Sequence, residues 1–497
     1  MNLISQLNTL ESSGLIRLLR AQPELEYLFR HALAQDAAYN SLLKQDRKQL
    51  HLAVAESLEC LYPEQKNEMA ATLAYHFERA ELRDRAIHYL RQAGDRAQAA
   101  YANQEALVFY QRAIVHIEHF GDGQAAEKWR DVEIAVRENV ADLMELVGNH
   151  EAALGGYENV MTLLTSEQKL IRARLQRKSA NVWIVRQDFE RARQLFDEAE
   201  TALGDAGADR PVEQWSEWIL IQLDCAWMLY LSSQIDEVIA RAEKARPVIE
   251  RYGTALQRSR FFSSLSQAGF RRDRFVMSDE TIALAMEAYK AWQESGSAVE
   301  TGMVVFGVGF CHLWRGEYDE AERMLLYGFS LVEKTGDLVT QTIYVTYLTM
   351  LNRKLGKLDE VKRLAAHSLD LAVKTQMKNY AGMAMANLSW IAWREGRHAE
   401  LQQHAREAMN QWSVVKIQYP FHWAAQWPLL AVAAKEGRIN DAADCARNML
   451  SPDQQILPAA LTAALEQAIE AFEHGQTGQG QTQFEEAIRL AGQTGYL

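Results

Sequence analysis

The side chains able to do chemistry are scattered, and none has the spacing of a catalytic or metal site. His116 and His119 lie three residues apart, so a helix would place both imidazoles on one side. No third ligand follows nearby, and we therefore expect a solvated helix face instead of a zinc site. The Gly-x-x-Gly-x-Gly run at 475–480 is not preceded by a strand, which favours a flexible turn over a phosphate-binding loop.

The common hydrolase and metalloenzyme motifs are also absent. The sequence contains no Gly-x-Ser-x-Gly, no His-Glu-x-x-His and no cysteine–histidine cluster with zinc spacing. Four widely separated cysteines favour free thiols over a disulfide framework. We therefore expect a protein that is not an enzyme and that uses neither a cofactor nor a metal ion.

The charge balance limits the classes of partner. The 497 residues include 53 basic and 66 acidic side chains, for a formal net charge of −13. This excess disfavours nucleic acids and anionic membranes as direct partners. The N-terminus lacks the pattern of a signal peptide, and no apolar run is long enough to span a membrane, so we expect a cytoplasmic protein. A local cluster of arginines at 258–274 is either an anion site or a solvated face.

A motif that returns about every 40 residues indicates which elements position these side chains. It reads Leu-Trp-Arg-Gly-Glu-Tyr-Asp-Glu-Ala at 313–321, Leu-Gly-Lys-Leu-Asp-Glu-Val at 355–361, and Lys-Glu-Gly-Arg-Ile-Asn-Asp-Ala at 435–442. Each copy combines an apolar helical run, a glycine suited to a tight turn, and a second run opened by Asp or Glu. This pattern predicts a stack of helical hairpins.

The turn positions define the register of the repeat. They fall at Gly148, Gln187, Ser233, Asp273, Gly316, Gly356, Gly396 and Gly437. Mostly small side chains occur seven residues before and five residues after them, as at Ala180, Ala192, Gly309 and Ala321, which permits close helix packing. The pattern resembles tetratricopeptide repeats over about 140–497. We therefore expect an all-α fold, a right-handed superhelical solenoid of hairpins about 40 residues long.

The tetratricopeptide resemblance implies that the first helix of each hairpin lines a concave groove. The implied ligand-binding side chains are Arg174, Arg177, Trp227, Tyr230, Arg260, Gln267, Phe270, Phe306, Phe310, Arg353, Trp390, Trp393 and Trp427. Aromatic and arginine side chains suit a binding surface, because they offer large contact areas and planar hydrogen-bond donors. The same residues could instead pack against the next turn of the superhelix, and both interpretations stay open.

The N-terminal segment departs from the repeat. An apolar helical stripe at 3–10 is followed by two strand-like runs at 14–17 and 26–29, which predicts a partial winged helix. We expect three regions: a winged-helix remnant at 1–35, linker helices and the first helical hairpins at 36–120, and the superhelix at 121–497.

Residues 27–58 carry a second resemblance. Tyr27-Leu-Phe-Arg-His-Ala-Leu33, with Ala37-Ala-Tyr39 and Leu50-His51 after it, resembles a block of bacterial STAND-type signal-transduction ATPases. The resemblance implies a MalT-like tetratricopeptide sensor arm, with His31 equivalent to a winged-helix histidine that contacts ADP. No Gly-x-x-x-x-Gly-Lys-Ser/Thr loop is present, so His31 is either a structural residue or a nucleotide-sensing remnant.

Two functions remain from these patterns. The first is a non-enzymatic sensor or scaffold in bacterial signal transduction, binding a protein, a peptide or a small effector in the groove. The second is a C-terminal regulatory fragment of a STAND ATPase that controls an adenylate cyclase, a kinase or a transcription activator. In both, an ATPase module would be supplied in trans.

Overall fold

The computed structural model describes residues 3–20, 25–121, 124–204, 210–297, 301–415 and 419–497. The chain divides into two compact units, Met1–Val182 (unit 1) and Trp183–Leu497 (unit 2). Within the described ranges the chain forms twenty-four α-helices and one two-stranded sheet. The all-α prediction is therefore confirmed, whereas the domain bounds at 35 and 120 stay predictions.

Unit 1 begins with a helix, two strands and a second helix. These are α1 (Leu3–Ser12), β1 (Ile16–Arg20), β2 (Glu26–Phe29) and α2 (Ala32–Ser41). The strands pair antiparallel, with Ile16 opposite Phe29, and the order of elements is the one expected for a partial winged helix. Among the described residues from 3 to 41, Ile16 alone is buried. This segment therefore presents apolar side chains to solvent, and Leu33 is 83% exposed.

The rest of unit 1 is a stack of helices. They are α3 (Lys44–Leu61), α4 (Ala70–Arg79), α5 (Arg83–Ala99), α6 (Asn103–Glu118), α7 (Gln124–Leu146), α8 (His150–Leu163) and most of α9 (Lys169–Val185), with a 3-10 turn at Pro63–Gln65. Glu81 and Tyr101 adopt positive φ angles of 58° and 60° in the turns on either side of α5. Phe77, Leu90 and Tyr110 are fully buried between these helices.

Unit 2 continues the same architecture. Its helices are α10 (Phe189–Leu203), α11 (Val212–Leu231), α12 (Ile235–Tyr252), α13 (Ala255–Arg272), α14 (Asp279–Ser295), α15 (Thr301–Arg315), α16 (Tyr318–Thr335), α17 (Leu338–Lys354), α18 (Leu358–Lys374), α19 (Lys378–Arg394), α20 (His398–Ser413), α21 (Trp423–Lys435), α22 (Ile439–Leu450), α23 (Ala459–Glu473) and α24 (Thr477–Gln493). Small residues at the predicted positions, such as Ala321 and Ala442, are completely buried between paired helices.

The turn positions read from the sequence adopt the left-handed conformation that ends a helix. Gly316 has a φ of 82°, and Gln187 and Ser233, which replace glycine, have φ angles of 60° and 62°. Glycine reaches this region without steric cost, whereas other residues pay a modest penalty.

One turn position was wrong. Asp273 has an ordinary φ of −94°, and the left-handed residues are Arg274 and Phe275. The turn is longer than expected, and Ser278 caps α14 by accepting a hydrogen bond from the Thr281 backbone nitrogen. Thr281 is buried against Gly269 in place of Ser278.

The longer turn contacts a distant part of unit 2. The Arg274 guanidinium donates to the carbonyl oxygens of Ser451 and Gln454, both at 2.9 Å. The Ile456 backbone nitrogen donates in return to the Arg274 carbonyl oxygen at 3.1 Å. The Phe275 ring packs on Phe421, with ring centroids 4.9 Å apart. These contacts, which we call the Arg274 clasp, join segments about 180 residues apart in the sequence.

The described residues include no helix that is both long and apolar enough to cross a membrane. They also include no group of three or more His, Cys, Asp or Glu side chains placed to hold a metal ion.

Candidate functional site

A cavity of about 410 Å³ lies inside unit 2, between α11, α13, α14, α15, α17, α19 and the segment that precedes α21. We call it the aromatic cavity. Part of the expected groove wall is brought together here: Trp227, Tyr230, Gln267, Phe270, Phe306 and Phe310. Trp227 and Met303 are 43% and 38% exposed, so the cavity opens to solvent beside them.

The walls of the aromatic cavity are made of rings that contact one another. Trp227 and Tyr230, one helical turn apart on α11, stack with centroids 5.6 Å apart and an interplanar angle of 15°. Phe310 meets Phe306 at 5.5 Å and Tyr347 at 5.1 Å. Such contacts fix the orientation of each ring. The wall is therefore held in place by its own packing before any ligand arrives.

The described lining of the aromatic cavity carries a positive charge. Arg271 is the cationic member of the described lining, which includes no Asp or Glu. Its guanidinium lies over the Tyr230 and Phe275 rings, at 5.5 Å and 5.9 Å from their centroids. Its Nε atom donates a long hydrogen bond of 3.5 Å to the Tyr230 hydroxyl. A positive charge therefore stands in the aromatic wall of a protein whose net charge is negative.

Phenol groups supply further polar atoms. Tyr347, Tyr380 and Tyr419 all line the cavity. The Tyr419 side chain is only 7% exposed, and no described residue hydrogen-bonds its hydroxyl oxygen with good geometry. Burial raises the pKa of Tyr419 well above its usual value, with the Tyr380 hydroxyl adding to the rise and Tyr347 opposing it. Tyr419 is therefore a neutral phenol that can still donate or accept.

Several lining residues lie outside the positions that the repeat register marks. Tyr347 is on α17, and Tyr380 is near the start of α19. Tyr419 and Phe421 lie between α20 and α21, where the repeat pattern makes no prediction. Arg271 belongs to the arginine cluster at 258–274, which was the available signal for it.

Three predicted groove residues are in the interior instead. Trp390 and Trp427 are completely buried, and Arg353 is 1% exposed. The C-terminal end of the chain covers Arg353, whose guanidinium donates a hydrogen bond to the Tyr496 carbonyl oxygen at 3.1 Å. The prediction that these three contact a ligand is therefore corrected.

The surroundings of Arg353 show how the covered face is packed. Its guanidinium also lies 5.5 Å from the Trp390 ring centroid, and the Lys354 ammonium lies 2.8 Å from the Tyr496 ring centroid. Burial lowers the pKa of both cations. Trp393 is half-buried and packs against a small cluster that includes Leu401.

The other predicted arginines also have partners in their own chain. Arg174 in unit 1 donates to both oxygens of the buried Glu138, at 2.7 Å and 2.8 Å. Arg177 lies on the same helix and is half-buried. In unit 2, Arg260 donates to the buried Asp224 at 2.7 Å. None of the three is among the lining residues of the aromatic cavity.

The histidines singled out in the sequence have separate environments in unit 1. His31 is exposed at the start of α2 and makes no side-chain cap. His116 lies 3.0 Å from Glu78, which Arg112 also contacts, so its ring belongs to an ion-pair network. His119 ends α6 as its C-cap residue.

Comparisons with known proteins add an architectural resemblance. No protein-family model matches the chain, and neither does any curated protein. It is similar to a STAND protein with a tetratricopeptide repeat sensor from Pyrococcus horikoshii, at 15% identity and a TM-score of 0.48 over 95% of this chain and 61% of that one. The chain thus spans about three fifths of the length of that protein.

Two Rap proteins are similar to a comparable degree. A Rap protein complexed with competence and sporulation factor matches at 14% identity and a TM-score of 0.47, over 81% of this chain and 99% of that one. The apo form of RapI matches at 11% identity and a TM-score of 0.44, over 56% of this chain and 97% of that one. At such identities the resemblance concerns the fold and assigns no ligand.

Proposed function

We propose that the chain is a non-enzymatic sensor or scaffold that binds a ligand in the aromatic cavity of unit 2. The observation that carries this proposal is the convergence of Trp227, Tyr230, Gln267, Phe270, Phe306 and Phe310 on one solvent-connected space. Those side chains come from three hairpins of the repeat, so the cavity depends on the stacking of the helices. The proposed ligand is a protein segment, a peptide or a small effector.

The dimensions and chemistry of the cavity support binding over mere packing. Ligand pockets typically measure about 300–1,000 Å³ and are lined by apolar groups with a few polar ones. The aromatic cavity, at about 410 Å³, lies at the small end of that range. Truncating an aromatic anchor in such a position typically costs about 2–4 kcal/mol of binding. If no ligand filled a space of this size, its lining side chains would lose van der Waals contacts.

The family resemblance of residues 27–58 supports a place in bacterial signal transduction, with an ATPase module as a partner in trans. In that setting the chain is cytoplasmic and contacts neither nucleic acid nor membrane directly. An alternative is a C-terminal regulatory arm of a STAND ATPase that controls a cyclase, a kinase or a transcription activator. The exposed apolar side chains of α1 and α2, such as Leu3 and Leu33, favour a further protein surface against unit 1.

Native mass spectrometry of the protein purified from its host tests the main proposal. Gly307 lines the cavity, and a Cβ atom added there would meet no other atom within 4 Å. A Gly307→Leu side chain should therefore fill the space without disturbing the helix. We expect a mass that is retained by the wild-type protein and lost from Gly307→Leu. The same mass on both proteins would place the ligand elsewhere and refute the proposal.

A matched control is available in unit 1. Gly155 is also a half-buried helical glycine, and its added Cβ would meet nothing within 4 Å. Gly155→Leu should keep the retained mass, because it makes the same chemical change outside the cavity.

A further inference from the structure

We infer that the ligand of the aromatic cavity is a flat aromatic molecule carrying a single anionic group, an inference that rests on the proposed function. The ring system would lie against the wall formed by Trp227, Tyr230 and Phe306. The anionic group would lie at the Arg271 end of the cavity. Each part of this assignment follows from a separate feature of the lining.

The presence of Arg271 in the lining favours a negative charge on the ligand. Aromatic walls attract cations as well as flat apolar molecules, so rings alone would leave the choice open. Here Arg271 already lies over the Tyr230 and Phe275 rings. A second cation beside it would be repelled.

The polar groups of the lining favour an acceptor on the ligand. A guanidinium has donors and no acceptor, and it binds carboxylates and related groups in a planar arrangement. The buried Tyr419 hydroxyl lacks a well-formed hydrogen bond within the described structure and can donate to a second ligand oxygen. Gln267 and Asn379 lie in the same lining and can adapt to donors or acceptors.

The shape of the cavity favours a compact planar ligand over an extended chain. Aromatic rings prefer offset stacking or edge-to-face contacts at centroid distances of about 4.5–7 Å. The Trp227 and Tyr230 rings are stacked nearly parallel, at an angle of 15°, so a planar ligand can extend this stack on an outer ring face. The 43% exposed Trp227 makes this surface reachable from solvent.

Two dyes that share one ring system test the assignment directly. The first probe is 1-anilinonaphthalene-8-sulfonate, which is anionic, and the second is N-phenyl-1-naphthylamine, its uncharged counterpart. Both report burial in an apolar site by increased fluorescence, and titrations of the full chain give their dissociation constants. The component that is lost in Gly307→Leu but kept in Gly155→Leu is the part bound in the aromatic cavity. This subtraction removes dye bound to the exposed apolar residues of unit 1.

Arg271 provides the charge test. Arg271→Gln should weaken cavity binding of the sulfonate dye by about tenfold, as expected for a lost charge-assisted contact, and should change binding of the neutral dye less than about twofold. Arg271→Lys, which keeps the charge, should restore part of the affinity for the sulfonate. These results together would support the assignment.

Two other outcomes would overturn the assignment of an aromatic anion, and they differ in whether the cavity remains the binding site. If Gly307→Leu removes both dyes but Arg271→Gln affects them equally or not at all, the anionic class is wrong while the cavity remains the binding site. If Gly307→Leu and Gly155→Leu bind both dyes as the wild type does, the cavity does not take aromatic ligands. The inference would then fail, whereas the proposed function would still be decided by native mass spectrometry of the wild type and Gly307→Leu.

Discussion

Two glycines on α15 should respond oppositely to the same substitution. Gly309 is buried against α16, and a Cβ atom added there would lie 2.9 Å from both Cγ and Cδ2 of Leu325. At Gly307, two residues earlier on the helix, an added Cβ would meet nothing within 4 Å. Alanine is favoured over glycine inside a helix by about 1 kcal/mol, and this gain applies equally to both positions.

The contact with Leu325 decides the difference between them. Overpacking of a core contact typically costs about 1–3 kcal/mol, so Gly309→Ala should change the free energy of unfolding by about 0 to −2 kcal/mol after the helix gain. Gly307→Ala should stabilise the protein by about 0.5–1 kcal/mol. The two variants should thus differ by about 1–3 kcal/mol, or a few degrees in melting temperature for a unit of this size.

Calorimetry would measure the melting temperatures, and hydrogen exchange of α15 and α16 peptides would locate the effect. Gly155 and Gly156 on α8 repeat the comparison in unit 1, because an added Cβ is free at the first and lies 2.8 Å from the Ala141 Cβ at the second. Equal stability changes for Gly307→Ala and Gly309→Ala would show that the close approach of α15 and α16 is not a determinant of stability.

Three further outcomes are expected. Burial lowers the pKa of His51 and His76, so below about pH 6.5 the unfolded state binds more protons than the folded state. Unit 1 should therefore lose stability as the pH falls. An unchanged pH dependence of the melting temperature in His76→Gln would contradict this. Tyr496→Ala should cost about 2–4 kcal/mol in denaturant unfolding, because the ring covers the Lys354 ammonium, and a wild-type midpoint would refute that role. The chain should not bind ATP at micromolar concentration in calorimetry, and affinity abolished by His31→Ala would overturn this.

The repeat architecture was readable from the sequence because it depends on local features. A left-handed turn favours glycine and close helix packing requires small residues at fixed offsets, as Gly316 and Ala321 show. The turn at Asp273 was misplaced because the left-handed residues there are Arg274 and Phe275, neither of which is a typical turn residue. Their conformation is stabilised by contacts with residues 421 and 451–456, which no local pattern records.

The candidate site was only partly predictable for a related reason. Residues from successive first helices, such as Tyr230, Phe270 and Phe310, do meet in one cavity, because their spacing follows the superhelix. Arg353 and Trp390 occupy equivalent positions farther along, yet Tyr496 covers Arg353 and packing buries Trp390. A periodic pattern gives the direction of a side chain but not which distant segment covers it. Tyr419 and Phe421 were missed because they lie between repeats.

The Arg274 clasp has a consequence for the kinetics with which unit 2 forms. Repeat proteins usually fold by neighbour-to-neighbour propagation, since their contacts are short in sequence. A contact across about 180 residues adds a loop-closure cost that grows with the logarithm of loop length, and it raises the contact order. Once formed, it ties the turn after α13 to the segment between α22 and α23, so the repeats between them cannot fray from one end. The enclosed repeats should therefore unfold as one block, more slowly than an open array of the same length.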